Sequence, residues 1–201
     1  MSDLFILKEE VIDLKDRIFE VFKTSAEIKI KFVEKYADEI VNLVNECCER
    51  LKNGGKLILF GNGGSACDSQ HIALELVGRF YKNREPIPAI ALTTDGALLT
   101  EISNDIEFAD VFLRQLKALG NKNDVVIGIS TSGRSENVLR ALKYAKNTGM
   151  LTVGFTGAKG ENMKEYCDYT FIAPSEDTPR IQETHITLGH ILAELIEENM
   201  F

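Results

Sequence analysis

The sequence predicts a doubly wound α/β sandwich: a five-stranded parallel sheet with helices on both faces, preceded by an N-terminal helical hairpin for oligomerisation. Three patterns predict it. Short, wholly apolar runs alternate with stretches of helical period, as in parallel strands that are buried on both faces and joined by crossover helices. The turns after the first and third runs are rich in glycine or hydroxyl residues and lead straight into helices. The segment before the first run carries only helical periodicity.

Taken in order, Leu7, Val11, Leu14, Ile18 and Phe22 recur at spacings of three and four. A second set runs Ile28, Phe32, Ala37, Ile40, Val44, Cys47 and Leu51. Two amphipathic helices would leave a long apolar stripe exposed unless they packed on the domain or on another copy of it, so residues 1–53 read as an oligomerisation hairpin. Packing within the chain is the plainer alternative. Asn53-Gly54-Gly55 is a stop signal. The predicted strands follow: Leu57–Phe60, Ala89–Leu92, Val125–Ile129, Leu151–Phe155 and Tyr169–Ile172. Helices are expected over Ser65–Arg79, Asp110–Leu119, Ser135–Asn147, briefly Glu161–Glu165, and Pro179–Asn199. The whole reads as a single domain, 1–201, with 54–201 as its α/β core, and ligands in such folds sit beyond the carboxyl ends of the strands.

The chain has 201 residues, 44% hydrophobic and 27% charged, enough for one well-buried core. No apolar run approaches the roughly 20 residues that cross a bilayer, and the acidic start MSDLFILKEE is no export signal, so a cytoplasmic, membrane-free protein is expected. Cys47, Cys48, Cys67 and Cys167 show no CxxC spacing, and Cys47 and Cys48 read as helix-packing residues. A net charge of −8 disfavours nucleic acid, whose binding depends on clustered lysine and arginine. An anionic metabolite would have to be held by local N–H groups, hydroxyls and helix N-termini.

Gly61-Asn62-Gly63-Gly64-Ser65, after the first strand, lets backbone approach a ligand closely at a helix start. A tight strand-to-helix turn would explain it equally well, and with Ala66 in the last position it does not match GxGxxG. Ser130-Thr131-Ser132-Gly133-Arg134-Ser135, after the third strand, is the better phosphate site: several hydroxyls around a glycine at a helix N-terminus, where Ser135 as a simple N-cap explains only one. Asn104-Asp105 reads as a turn between helices, with a role on sugar hydroxyls left open.

His71, Glu75 and Arg79 are spaced by four on the helix after the glycine turn, on one stripe. The last helix carries Gln182, His185 and His190. At about 100° per residue, Gln182 and His190 differ by roughly 80° and Gln182 and His185 by roughly 60° the other way, so periodicity does not choose between the histidines. Two imidazoles, a carboxylate and an amide oxygen would suit zinc or a similar divalent ion, or would serve as base and acid without metal.

These motifs, with Asp68, Gly78-Arg79 and Arg180-Ile181-Gln182-Glu183, resemble the phosphoheptose isomerases of the sugar-isomerase (SIS) domain superfamily over nearly the whole chain. The resemblance implies conversion of sedoheptulose 7-phosphate to D-glycero-D-manno-heptose 7-phosphate, toward the heptose of bacterial surface glycans such as lipopolysaccharide. It implies a homotetramer with sites at subunit boundaries. It places substrate contacts at Asn62, Gly63, Gly64, Glu75, Asn104, Asp105, Ser130, Thr131, Ser132, Ser135 and Gln182, one zinc ion on His71, Glu75, Gln182 and His190, and acid and base at Glu75 and His190. It thereby prefers His190 to His185. The rival expectation is a non-catalytic SIS scaffold, similar to the initiator-associating protein of chromosome replication, which Ala91-Leu92-Thr93-Thr94-Asp95 and Ile196 to Phe201 also resemble.

Overall fold

The computed structural model describes residues 13–201. It opens on a helix, α1 (Leu14–Lys52), capped by Asp13, whose side chain accepts from the Lys15 N–H. This corrects the expected hairpin. The chain runs as one helix from Leu14 through Phe22 and Ile28 to Lys52, because Lys23-Thr24-Ser25-Ala26-Glu27 contains neither glycine nor proline to break it. Leu7 and Val11 of the first apolar set lie outside the described residues. Ile28, Phe32, Tyr36, Ile40, Leu43, Val44, Cys47, Cys48 and Leu51 are buried against the domain. Leu14, Ile18, Phe19 and Phe22 remain exposed.

After the Asn53-Gly54 turn the chain alternates as predicted: β1 (Leu57–Gly61), α2 (Gly64–Val77), β2 (Ala89–Ala91), α3 (Gly96–Asp105), α4 (Val111–Leu119), β3 (Val125–Ile129), α5 (Glu136–Asn147), β4 (Leu151–Gly157), β5 (Tyr169–Ala173) and α6 (Thr178–Met200). Single 3-10 turns at Phe108–Asp110 and Glu161–Glu165 fill two of the connections. All strands pair in parallel, in the order β2-β1-β3-β4-β5. The winding reverses between β1 and β3, and at such a switch point a crevice opens at the carboxyl edge of the sheet.

Strand residues alternate between two apolar cores. Leu57, Leu59, Ile127, Val153, Phe155 and Phe171 face α1, α2 and α6, while Ile58, Phe60 and Val126 face α4 and α5 with Phe112, Leu116, Val138 and Leu142. α1 is fastened to the edge strand by an aromatic cluster: Tyr36 and Phe155 pack on Phe171 with ring centroids 5.4 and 6.0 Å away, and the Tyr36 hydroxyl accepts from the Ile172 N–H (3.3 Å). Phe171 is fully buried. Replacing Phe171 with Ala is expected to cost about 3–5 kcal/mol of stability, read from urea denaturation; a loss under about 1 kcal/mol would mean that the cluster does not hold α1.

Candidate active site

Both predicted anion turns emerge at the switch point. The glycine turn ends β1 and runs into α2, and the serine turn ends β3 and runs into α5. They are laced together by a reciprocal amide pair: Asn62 Nδ2 donates to Asn137 Oδ1 and Asn137 Nδ2 to Asn62 Oδ1, each at 2.9 Å. Asn137 is buried and its Oδ1 also accepts the Val138 N–H (3.0 Å), which closes the α5 cap from within the helix. Ser135 sits at the N-cap, yet its hydroxyl makes no capping bond and instead accepts from Ser130 Oγ at 3.0 Å. That leaves the hydroxyls facing the turn, in keeping with a cradle. Gly133 (φ 65°) is in the left-handed region and packs on Gly160, where an added Cβ would come 2.3 Å from the Gly160 Cα. A cavity of about 160 Å³ beside this turn is lined by Thr131, Ser132, Arg134 and Lys159 among others.

α2 and α6 lie side by side on the same face of the sheet, and their facing residues make the chemical cluster. His71 Nε2 lies 3.1 Å from Glu75 Oε1 and 3.3 Å from His190 Nε2. The His71 side chain is 45% exposed and that of Glu75 19%, so the group is open to a solute at one side and walled at the other. Among the described residues, His71, Glu75 and His190 form a group of metal-capable side chains with ligand atoms all within 4.8 Å of one another. Only one proton fits between His71 Nε2 and its two neighbours, whereas a cation would satisfy all three lone pairs. The donor set of two imidazoles and a carboxylate is of the kind that holds zinc or a similar divalent ion. Gln182, two turns before His190 on α6, lies against the start of α2: a Cβ on Gly64 would come 2.2 Å from Gln182 Nε2, so a side chain at 64 would displace that amide.

One turn before His71, burial pushes the Asp68 carboxyl up to about 6, with His71 opposing the shift. The periodicity of α6 leaves its histidines unresolved, and the structure separates them. His185 is fully buried, with Nε2 3.1 Å from the Thr156 carbonyl oxygen, so Nε2–H donates and the ring is neutral; desolvation holds it down at about 4. Arg180 donates to the Val21 carbonyl (3.2 Å) and to Glu183 (2.6 Å), and thus ties α6 to α1, while Arg79 is exposed.

Asn104 and Asp105 depart from expectation. They are the last residues of α3, not a turn, because Ser103 and Asn104 continue the helix begun at the Asp95 cap. Both are exposed, they bond to each other (2.7 Å), and among the described residues no hydrogen bond joins them to the cluster on α2 and α6. Asn137, which locks the two turns together, is not marked by any motif; its place in the first helical turn after the serine turn is the available signal.

The SIS domain family matches residues 21–157, which assigns the class of protein. The phosphoheptose isomerase of Aquifex aeolicus is 55% identical over 183 residues, 91% of this chain and 96% of its own length. Solved phosphoheptose isomerases from Neisseria gonorrhoeae and Francisella tularensis superpose with TM-scores of 0.86 and 0.88 at 37% and 34% identity, covering 92% and 93% of this chain and 100% of theirs. The chain belongs to the phosphoheptose isomerase family. It is an isomerase, and the scaffold alternative falls. No helix among the described residues is long and apolar enough to cross a membrane.

The neutral state of His185 has a consequence for acid stability. Its folded pKa, about 4, lies below the ordinary 6.5, so its contribution is fully present above pH 6.5 and is lost as pH falls from there through about 4. Over that interval the loss is on the order of 3 kcal/mol. Replacing His185 with Gln should flatten this part of the stability–pH curve in denaturation measured from about pH 7.5 to 4.5; an unchanged slope would show that the ring titrates freely.

Proposed function

We propose that the chain interconverts sedoheptulose 7-phosphate and D-glycero-D-manno-heptose 7-phosphate, and that the cluster on α2 and α6 carries the chemistry. The observation that supports this most directly is the convergence of Glu75, His71 and His190 where α2 packs against α6. Aldose–ketose isomerisation moves a proton between C1 and C2 through an enediol, which requires a base at carbon and proton exchange at oxygen. Glu75 takes the carbon-bound proton. His190 exchanges the proton on oxygen, and Gln182 steadies the negative charge that develops there. The phosphate docks on Ser130, Thr131, Ser132 and Ser135 at the start of α5, where N–H groups and the helix dipole favour an anion despite the net charge. Asn62, Gly63 and Gly64 line the sugar chain, and phosphate binding orients the carbonyl end toward Glu75.

His71, Glu75, Gln182 and His190 would hold a zinc ion, which when bound would polarise the substrate oxygens and stabilise enediolate charge. Asn104 and Asp105, exposed on one protomer, would reach substrate across a subunit boundary in a homotetramer. The exposed Leu14, Ile18, Phe19 and Phe22 of α1 supply apolar surface for such an assembly. The product would feed surface-glycan heptose from the cytoplasm.

The test is incubation of purified protein with sedoheptulose 7-phosphate, following aldose formation. Glu75→Gln is expected to lower kcat by about 10²–10⁴; near-native turnover by the folded variant would remove Glu75 as the base. His190→Gln should lose more in kcat than in KM, and a pure KM effect would make it a binding residue. Chelation should lower turnover and added zinc restore it; full activity in chelator would exclude a catalytic metal.

A further inference from the structure

Glu197 lies seven residues beyond His190 on α6, which returns it to the same helix face. Its side chain is 2% exposed and its carboxylate accepts from the N–H groups of Phe80 (3.1 Å), Tyr81 (2.8 Å) and Lys82 (2.8 Å) and from Arg84 Nε (2.7 Å). Arg84, 1% exposed, directs its other N–H groups at carbonyl oxygens: Nη2 to Glu75 (3.1 Å), and Nη1 to Leu76 (2.8 Å) and Glu85 (3.1 Å). Glu75 and Leu76 stand in the last turn of α2, where carbonyls lack intrahelical partners and a cation suits the helix dipole. Phe80, held by Glu197, has its ring 5.9 Å from that of His190.

One buried ion pair therefore touches the backbone of the proposed base and the residue packed on the proposed acid. Burial opposes the charge on Glu197, yet the three N–H donors and Arg84 outweigh it and hold its carboxyl down at about 2. An apolar pair would fill this volume with less desolvation. It would leave the Glu75 and Leu76 carbonyls and three N–H groups without these partners. On the isomerase reading above, we propose that Arg84 and Glu197 are positioning residues, which set the placement of Glu75 relative to His190 by joining the end of α2, the 78–88 connection and α6. They act through Glu75 and Phe80 and not on the substrate.

Arg84→Lys keeps the charge and removes the fork, and Glu197→Gln keeps the shape and removes the charge. Asp124→Asn, in the Lys56–Asp124 pair that joins the starts of β1 and β3 (2.8 Å), is the comparison. Arg84→Lys and Glu197→Gln are expected to lower kcat by about 10- to 100-fold, the scale of a small misplacement of reacting groups, with KM within about threefold. Asp124→Asn should lower the unfolding midpoint and leave kcat unchanged. The chain has 3 histidines, so imidazole resonances at fixed pH supply a readout without substrate: those of His71 and His190 should shift in Arg84→Lys while that of His185 stays. Native kcat with unmoved resonances in Arg84→Lys would overturn the proposal, as would an equal kcat loss in Asp124→Asn. If Glu197→Gln does not fold, Arg84→Lys decides. If the unaltered chain leaves sedoheptulose 7-phosphate unconverted, the substrate reading falls, and the resonances alone decide the positioning.

Discussion

The site depends on the contact between α2 and α6. These helices are separated by about a hundred residues of chain, and each supplies part of the cluster: His71 and Glu75 from one, His190 from the other. Their approach is close. Gly189 beside His190 leaves its space to Ile72 beside His71, where an added Cβ would come within 2.4 Å of the Ile72 side chain. At the start of α2, Gly64 leaves room for the Gln182 amide. Small residues at these crossings let the two helices close on one another, and the apolar core beneath, with Ile72, Leu76, Leu188 and Leu192, holds them there.

Charge is managed locally. A chain of net charge −8 has an unfavourable mean field for a phosphate, yet the carboxyl edge of the sheet presents hydroxyls and the N-termini of α2 and α5. The buried charges of Asp124 and Glu197 are each answered by several donors. Asp124 accepts from the Lys56 N–H and ammonium and from Asn121, and ties the starts of β1 and β3 together; Glu197 collects its four donors from the 80–84 segment. Both act as hubs that pin loops whose own backbone groups would otherwise lack partners.

The parallel sheet is legible in the sequence because its strands are buried on both faces. Val125-Val126-Ile127-Gly128-Ile129 carries no polar residue, and its short length and flanking turns separate it from a helix. Three strands run a residue or two beyond their apolar runs, to Gly61, Gly157 and Ala173, because backbone pairing continues where the side-chain pattern stops. The hairpin expected at the N-terminus rests on a phase shift in the apolar stripe between Phe22 and Ile28. That shift records where the helix leaves the domain: burial begins at Ile28, while Leu14, Ile18, Phe19 and Phe22 face outward.

Taken alone, the sequence determined the layered α/β architecture, the glycine and serine turns that open α2 and α5, and the chemical types in the cluster, because each follows from local periodicity or from residues adjacent in the chain. It could not choose between His185 and His190, find Asn137, or see that Arg84 and Glu197 meet. Those choices turn on which face of α6 is pressed against the sheet and which against α2, and a rotation of roughly 60° or 80° about a helix axis is settled only by packing across the fold. Tertiary structure put His185 into the core on the Thr156 carbonyl and His190 against His71, since the first lies on the face of α6 pressed against the sheet and the second on the face that meets α2.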